Sequence, residues 1–184
     1  MLKSKIRKKI LKIRKKRNFN NIKLTFSKIF NEIKKENIKK KVIGGYYPIN
    51  FEIDILDFLL NIESKCSQVS LPSINENSQM DFFKWSHNDL LKLNKFGIPE
   101  PLKNKKVIPD IVFLPLVAFD KRLYRIGYGG GYYDRALEKI LTSSCEKEII
   151  GMGYEYQILE DVFGEIHDIK YSTVFSENNI HQYR

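Results

Sequence analysis

Arg125-Ile126-Gly127-Tyr128-Gly129-Gly130-Gly131-Tyr132-Tyr133-Asp134-Arg135 joins an apolar run to a helical pattern through a loop holding four of the chain's ten glycines. Positions without side chains let successive backbone N–H groups turn inward as an anion cradle, and a helix N-terminus behind them adds a favourable dipole. Arg125 and Arg135 bracket the loop, and Asp134 lies in the first helical turn. This strand–loop–helix order predicts an α/β architecture with an anion site at the loop. Three consecutive glycines alone could make a tight turn; the flanking charges favour the cradle. The pattern has no third glycine where G-x-G-x-x-G needs one, and no G-K-[ST] follows, so neither common nucleotide fingerprint applies.

Working outward, Ile111–Leu116 is almost continuously apolar, which predicts a central strand buried on both faces. A helix is expected at about 132–142, with strands at Ile149–Gly153 and Tyr171–Phe175 and a helical turn near 159–163. Upstream, Lys41–Tyr47 reads as a strand closed by Pro48, Asp54–Glu63 as a helix, Gln68–Leu71 as a strand stopped by Pro72, and Met80–Trp85 as a short strand. The Pro- and Lys-rich stretch Phe96–Pro109 reads as an irregular loop. A second helix is expected at about 21–40, with Ile22, Phe26, Ile29, Phe30 and Ile33 apolar. Strands alternating with helices predict a single-domain three-layer sandwich over 1–184, with a mainly parallel sheet and helices on both faces.

The charge is lopsided. Ten of the 32 Lys and Arg residues lie in 1–17, which holds no acid, and the 22 that remain balance the 22 Asp and Glu. A chain-wide polyanion surface is therefore disfavoured, and nucleic acid is not an expected partner. Leu2, Ile6, Ile10 and Ile13 form one stripe of an amphipathic helix. Lys3, Arg7 and Arg14, at i, i+4 and i+11, are read as facing an anionic ligand. The competing reading is a solvated or polyanion-binding basic helix, for RNA or an anionic membrane. No apolar run reaches the roughly 20 residues of a membrane span. No apolar segment of secretory type follows the N-terminal charges. Isolated Cys66 and Cys145 point to neither a disulfide nor a zinc site. A cytoplasmic location is expected, without membrane partners. His87, His167 and His181 have no triad or metal spacing.

Pro115-Leu116-Val117-Ala118-Phe119-Asp120 with Tyr124–Arg135 resembles the signature of the 5-formyltetrahydrofolate cyclo-ligase family. Lys3-Ser4-Lys5-Ile6-Arg7 is similar to its basic N-terminal element. Tyr47-Pro48 through Glu52-Ile53-Asp54 is similar to its folate segment, and Phe96-Gly97-Ile98-Pro99-Glu100-Pro101 to its G-I-x-E-P element. The resemblance implies a Rossmann-like fold of the NagB/RpiA/CoA-transferase type. It also implies ATP- and Mg²⁺-dependent closure of 5-formyltetrahydrofolate, in mono- or polyglutamylated form, to 5,10-methenyltetrahydrofolate, with release of ADP and phosphate. Carried onto this chain, Lys3, Ser4, Lys5, Ile6, Arg7, Arg14 and Arg125–Tyr133 (Ile126, Gly127, Tyr128, Gly129, Gly130, Gly131 and Tyr132 between them) are the expected ATP site. Tyr47, Glu52 and Tyr128–Tyr132 are the expected folate site. Arg125 and Tyr132 are the expected catalytic residues, and Asp134 is the expected Mg²⁺ ligand. Ser172 stands where the family pattern has a second carboxylate; Asp168 is the candidate substitute, or Ser172 a holder of metal-bound water. A member with weak or no cyclo-ligase activity is the alternative.

Overall fold

The computed structural model describes residues 2–17, 29, 31, 33, 37–143, 147–164, 169 and 171–182. Three helices and thirteen short strands are described. α1 is Leu2–Lys16, α2 Leu56–Glu63 and α3 Tyr132–Ser143. Strands β1 (Val42–Gly44), β2 (Gln68–Ile74), β3 (Met80–Lys84), β6 (Lys106–Val107), β7 (Ile111–Pro115), β10 (Glu148–Met152), β12 (Thr173–Phe175) and β13 (Ile180–Gln182) form the main sheet, in the order β13-β12-β10-β7-β1-β2-β3-β6. Its centre, β12-β10-β7-β1-β2, is parallel, and antiparallel strands close both edges. β4 (Leu91–Leu93) and β5 (Pro99–Pro101) make a separate hairpin. β8 (Ala118–Asp120), β9 (Arg125–Ile126) and β11 (Ile158–Leu159) make a small third sheet.

All five residues of β7 are buried, as its unbroken apolar run predicts. Their alternation divides the core. Ile111 and Phe113 pack with Phe58, Leu59 and Ile62 of α2, and with Ile29 and Ile33, on one face. Val112 and Leu114 pack with Leu137 and Ile140 of α3 on the other. This is the expected α/β arrangement, with helices on both faces of a mainly parallel sheet. A third cluster seats Ile6, Ile10, Leu11 and Ile13 of α1 on Val117, Ala118, Ile126 and Val162 of the small sheet and its neighbouring loop. Apart from exposed Leu2, the apolar stripe of the basic helix thus packs inside the protein.

Several sequence expectations need correction. Phe96–Pro109 is not irregular throughout, because it holds β5 and β6; the short G-I-x-E-P stretch is too proline-rich to read as a strand. β2 runs through Pro72 rather than stopping there. Val69 faces β3 and accepts from Trp85, whereas Ser70 faces β1 and accepts from Gly45. Pro72 shares the β1-facing side, where β1 has already ended, so its missing N–H removes no ladder bond. The expected turn at 159–163 lies earlier, as a 3₁₀ turn at Glu155–Gln157 followed by β11. The strand entering the glycine loop is β9, of the small sheet rather than the main one. In the expected 21–40 helix, Ile29 and Ile33 are helical and buried, and 38–40 forms a 3₁₀ turn. Ile22, Phe26 and Phe30 fall outside the described residues, as do Cys145, His167 and Asp168. Among the described residues no helix is long and apolar enough to cross a membrane.

Candidate active site

The glycine loop separates two cavities that share Arg125, Gly127, Gly129 and Asp134 as lining. The larger, about 520 Å³, opens beside the carboxyl ends of β2 and β7, bordered by Pro72, Ile74 and Pro115. Open α/β sheets bind ligands at this edge. The smaller, about 110 Å³, lies toward α1 and is lined by Lys3, Arg7 and Arg125, with Asp134 the one acid.

The loop's backbone explains its glycines. Gly129 has φ +96° and Gly131 φ +65°, conformations that L side chains rarely adopt. A Cβ on Gly129 would lie 3.0 Å from Cζ of Arg7, whose guanidinium presses against the loop. Arg7 Nε also donates to the Gly127 carbonyl at 2.7 Å. The docked apolar stripe of α1 thereby brings a cation to the cradle. Lys3, one turn earlier, lines the same small cavity.

Not every expected ATP residue meets there. Ser4 and Lys5 are exposed and line neither cavity, and Ile6 is part of the packing. Arg14 departs furthest from expectation. It is 1% exposed and lines neither cavity; its Nη1 donates to the Tyr128 hydroxyl at 3.0 Å and its Nη2 to the Leu116 carbonyl at 2.5 Å. Helical spacing put Arg14 on the inner face correctly, but two turns beyond Arg7 that face meets Tyr128 instead of the small cavity.

Glu52 closes the inner part of the large cavity and is buried. It ends a tight turn in which Asn50 and Phe51 both have positive φ, 49° and 59°. Such backbone is costly for non-glycine residues and points to a constrained functional position. The turn is closed by Glu52 N–H to Ile49 O and by Ile49 N–H to Glu52 Oε2, both 2.9 Å. Oε1 has no partner. Burial pushes the carboxyl up to about 7, against the downward pull of the Ile49 N–H, the Tyr128 hydroxyl and Arg14. A buried carboxylate with one free oxygen is ready for a ligand that brings its own N–H donors. Tyr47 lines the same cavity.

The opposite wall went unread in the sequence. The β4–β5 hairpin places Phe96 edge-on to Tyr132, with centroids 5.9 Å apart. Buried Glu100 anchors it, accepting from Ile74 N–H at 3.0 Å and Asn94 Nδ2 at 3.4 Å. The G-I-x-E-P element was the available signal. Gly130 packs on the Tyr132 ring, and Tyr133 lines the cavity beside it.

Asp134 is the single acid at both cavities' junction, and it forms an ion pair with Arg125. Its side chain is 56% exposed, whereas that of Arg125 is 6% exposed and leaves Nε without a partner. Among the described residues no group of three or more His, Cys, Asp or Glu is placed to hold a metal ion. That composition fits Mg²⁺ bound through one carboxylate plus phosphate oxygens and waters, and does not fit an all-protein metal cage. Ser172 lines neither cavity, and its hydroxyl donates to the Ile149 carbonyl at 2.7 Å.

Comparison with known proteins identifies the family. Residues 1–177 match the family model described as the 5-formyltetrahydrofolate cyclo-ligase family. A curated 5-formyltetrahydrofolate cyclo-ligase of Haemophilus influenzae is 33% identical over 141 residues, spanning 73% of this chain and 74% of that protein. The Escherichia coli K12 protein of the same name is 27% identical over 75% of this chain and 79% of its own. Among solved structures, Aquifex aeolicus 5,10-methenyltetrahydrofolate synthetase superposes with a TM-score of 0.82 at 28% identity, covering 100% of this chain and 94% of that one. A Mycoplasma pneumoniae 5,10-methenyltetrahydrofolate synthetase shares the fold, with a TM-score of 0.73 at 21% identity over 97% of this chain and 100% of its own. With its signature loop, α/β sheet and near-complete family match, this chain is an enzyme belonging to the 5-formyltetrahydrofolate cyclo-ligase family of ligases.

Proposed function

We propose that the chain, acting as one domain in the cytoplasm, converts 5-formyltetrahydrofolate to 5,10-methenyltetrahydrofolate while ATP is cleaved to ADP and phosphate. The observation that carries this reading is the meeting of two unlike cavities at one glycine loop. One is largely apolar and ends in a buried carboxylate; the other is ringed by three cations. A pteridine with an N–H donor edge suits the first, and a polyphosphate suits the second.

A formamide oxygen is a poor leaving group. In the proposed reaction it attacks the γ-phosphorus, forming a C–O–P linkage as the bond to ADP breaks. N10 then attacks the activated formyl carbon, the C–O bond breaks, phosphate departs and N10 loses its proton. Phosphoryl transfer asks chiefly for alignment and charge neutralisation. Lys3, Arg7 and the Gly127–Gly131 amides hold the phosphates in this reading, and Arg125 meets the transferred group where the cavities join. Tyr132, on the large-cavity side of the loop, orients the formyl end, and Glu52 with Tyr47 and Tyr128 holds the pteridine. Asp134 and phosphate oxygens would hold Mg²⁺, which when bound supplies neutralisation of phosphate charge.

The test is the near-ultraviolet absorbance of the methenyl product on mixing purified protein with 5-formyltetrahydrofolate and Mg²⁺-ATP. Product dependent on both ligands is expected. Binding of both ligands without product would mark a family member that has lost the activity.

A further inference from the structure

The inner side of α1 carries three cations that serve different places. Lys3 and Arg7 line the small cavity, and Arg14 lines neither. A buried guanidinium carries a heavy desolvation penalty, and neutral acceptors alone offset it poorly. The Leu116 carbonyl does not depend on Arg14, because Gln157 Nε2 donates to it at 2.7 Å. Its other acceptor, the Tyr128 hydroxyl, leads to the folate side of the site. Arg14 donates to that oxygen, which leaves the hydroxyl's own hydrogen for another acceptor, and Tyr128 lines the large cavity together with Glu52. The groups facing Glu52 are Arg14 from α1, Tyr128 and Tyr133 from the loop and the start of α3, Tyr46 after β1, Tyr171 ahead of β12, and the Ile49 N–H. Arg14 is the one cation in that set.

We infer that Arg14 is a positioning residue for the second substrate: it holds the Tyr128 hydroxyl in the cavity that Tyr128 shares with Glu52, where the donor edge of a pteridine would bind. The inference rests on the function proposed above. It separates Arg14 from Lys3 and Arg7, its neighbours on the same helix, by the substrate each serves. The opposite outcome, Arg14 as a third phosphate cation, makes a different prediction for every measurement below.

The experiment is calorimetric titration of 5-formyltetrahydrofolate and, separately, of Mg²⁺-ATP, from pH 6 to 9, into wild type, Arg14→Gln, Arg14→Lys and Tyr128→Phe. Arg14→Gln and Tyr128→Phe are expected to weaken 5-formyltetrahydrofolate about tenfold, the worth of one hydrogen bond to a charged group, and to leave ATP within about twofold. In both, folate affinity should begin to fall at a higher pH than in wild type. Arg14→Lys should restore that pH while recovering only part of the affinity, since an ammonium lacks the planar fork that reaches Leu116 and Tyr128 together. Tyr128→Phe leaves the Arg14–Leu116 bond intact and decides the matter if Arg14→Gln does not fold. Loss of ATP affinity with folate affinity unchanged, or an unmoved pH dependence in Tyr128→Phe, overturns the inference alone. Wild type that binds no 5-formyltetrahydrofolate overturns the proposed function with it.

Discussion

Arg125 and Asp134, nine residues apart, form an ion pair across the junction of the two cavities. The pair occupies the carboxylate proposed for Mg²⁺ and the guanidinium proposed for the transferred phosphoryl group. In the proposed reaction, phosphate arriving from the small cavity would give Arg125 a second anionic partner and free Asp134 for the metal. Asp134→Asn is therefore expected to raise the Mg²⁺ concentration for half-maximal turnover about tenfold or more, with 5-formyltetrahydrofolate affinity changed less than about twofold. Titration of turnover against Mg²⁺ checks this, and an unchanged Mg²⁺ requirement contradicts it.

Gly129 and Gly97 make a controlled pair. Both have positive φ, +96° and +73°, but a Cβ at Gly129 meets the Arg7 guanidinium while one at Gly97 meets nothing within 4 Å. Each alanine substitution should cost about 1 kcal/mol of stability from backbone strain. Gly129→Ala alone should also displace Arg7, raising the KM for ATP about tenfold or more. Denaturant unfolding with steady-state kinetics separates the two effects.

Glu52 gives the protein a pH signature. Burial raises its carboxyl from the ordinary 4.5 to about 7, so between these values the native state binds more protons than the unfolded state. Stability therefore falls as pH rises through this window, by about 3 kcal/mol from this group. Ligand binding runs the other way. If donors of the pteridine bind the carboxylate, 5-formyltetrahydrofolate affinity should drop toward about tenfold per unit as pH falls below 7. Glu52→Gln should remove both dependences, measured by urea unfolding and by titration at matched pH.

Phe96 is 54% exposed, and its edge contact with Tyr132 is across the large cavity's wall. Phe96→Ala should leave the melting temperature nearly unchanged yet weaken 5-formyltetrahydrofolate by about 0.5–1.5 kcal/mol, the range for an aromatic pair. A large fall in melting temperature with intact folate affinity would make the hairpin structural instead.

The parts legible in the sequence were those with a strong local signal. The almost continuous apolar run of Ile111–Leu116 showed a central strand, the spacing of Leu2, Ile6, Ile10 and Ile13 showed α1, and the glycines of 127–131 showed a backbone that side chains would obstruct. The illegible parts depend on partners distant in the chain. The two-residue strands β6, β9 and β11 exist only through pairing. Pro72 is tolerated because β1 happens to end beside it. Arg14 meets Tyr128 at a separation of 114 residues, and helical periodicity supplies the face but not what faces it. The Phe96 hairpin was hidden for a similar reason: Glu100 has little local meaning until Ile74 N–H is seen to need it.

The account turns on transfer of the formyl oxygen to phosphorus at the junction of the two cavities. Turnover of 5-formyltetrahydrofolate labelled with ¹⁸O in the formyl group, read by ³¹P NMR of the released phosphate, tests this directly. One ¹⁸O per phosphate, formed with one methenyl product and one ADP, is the predicted result. Unlabelled phosphate accompanying methenyl product would contradict it.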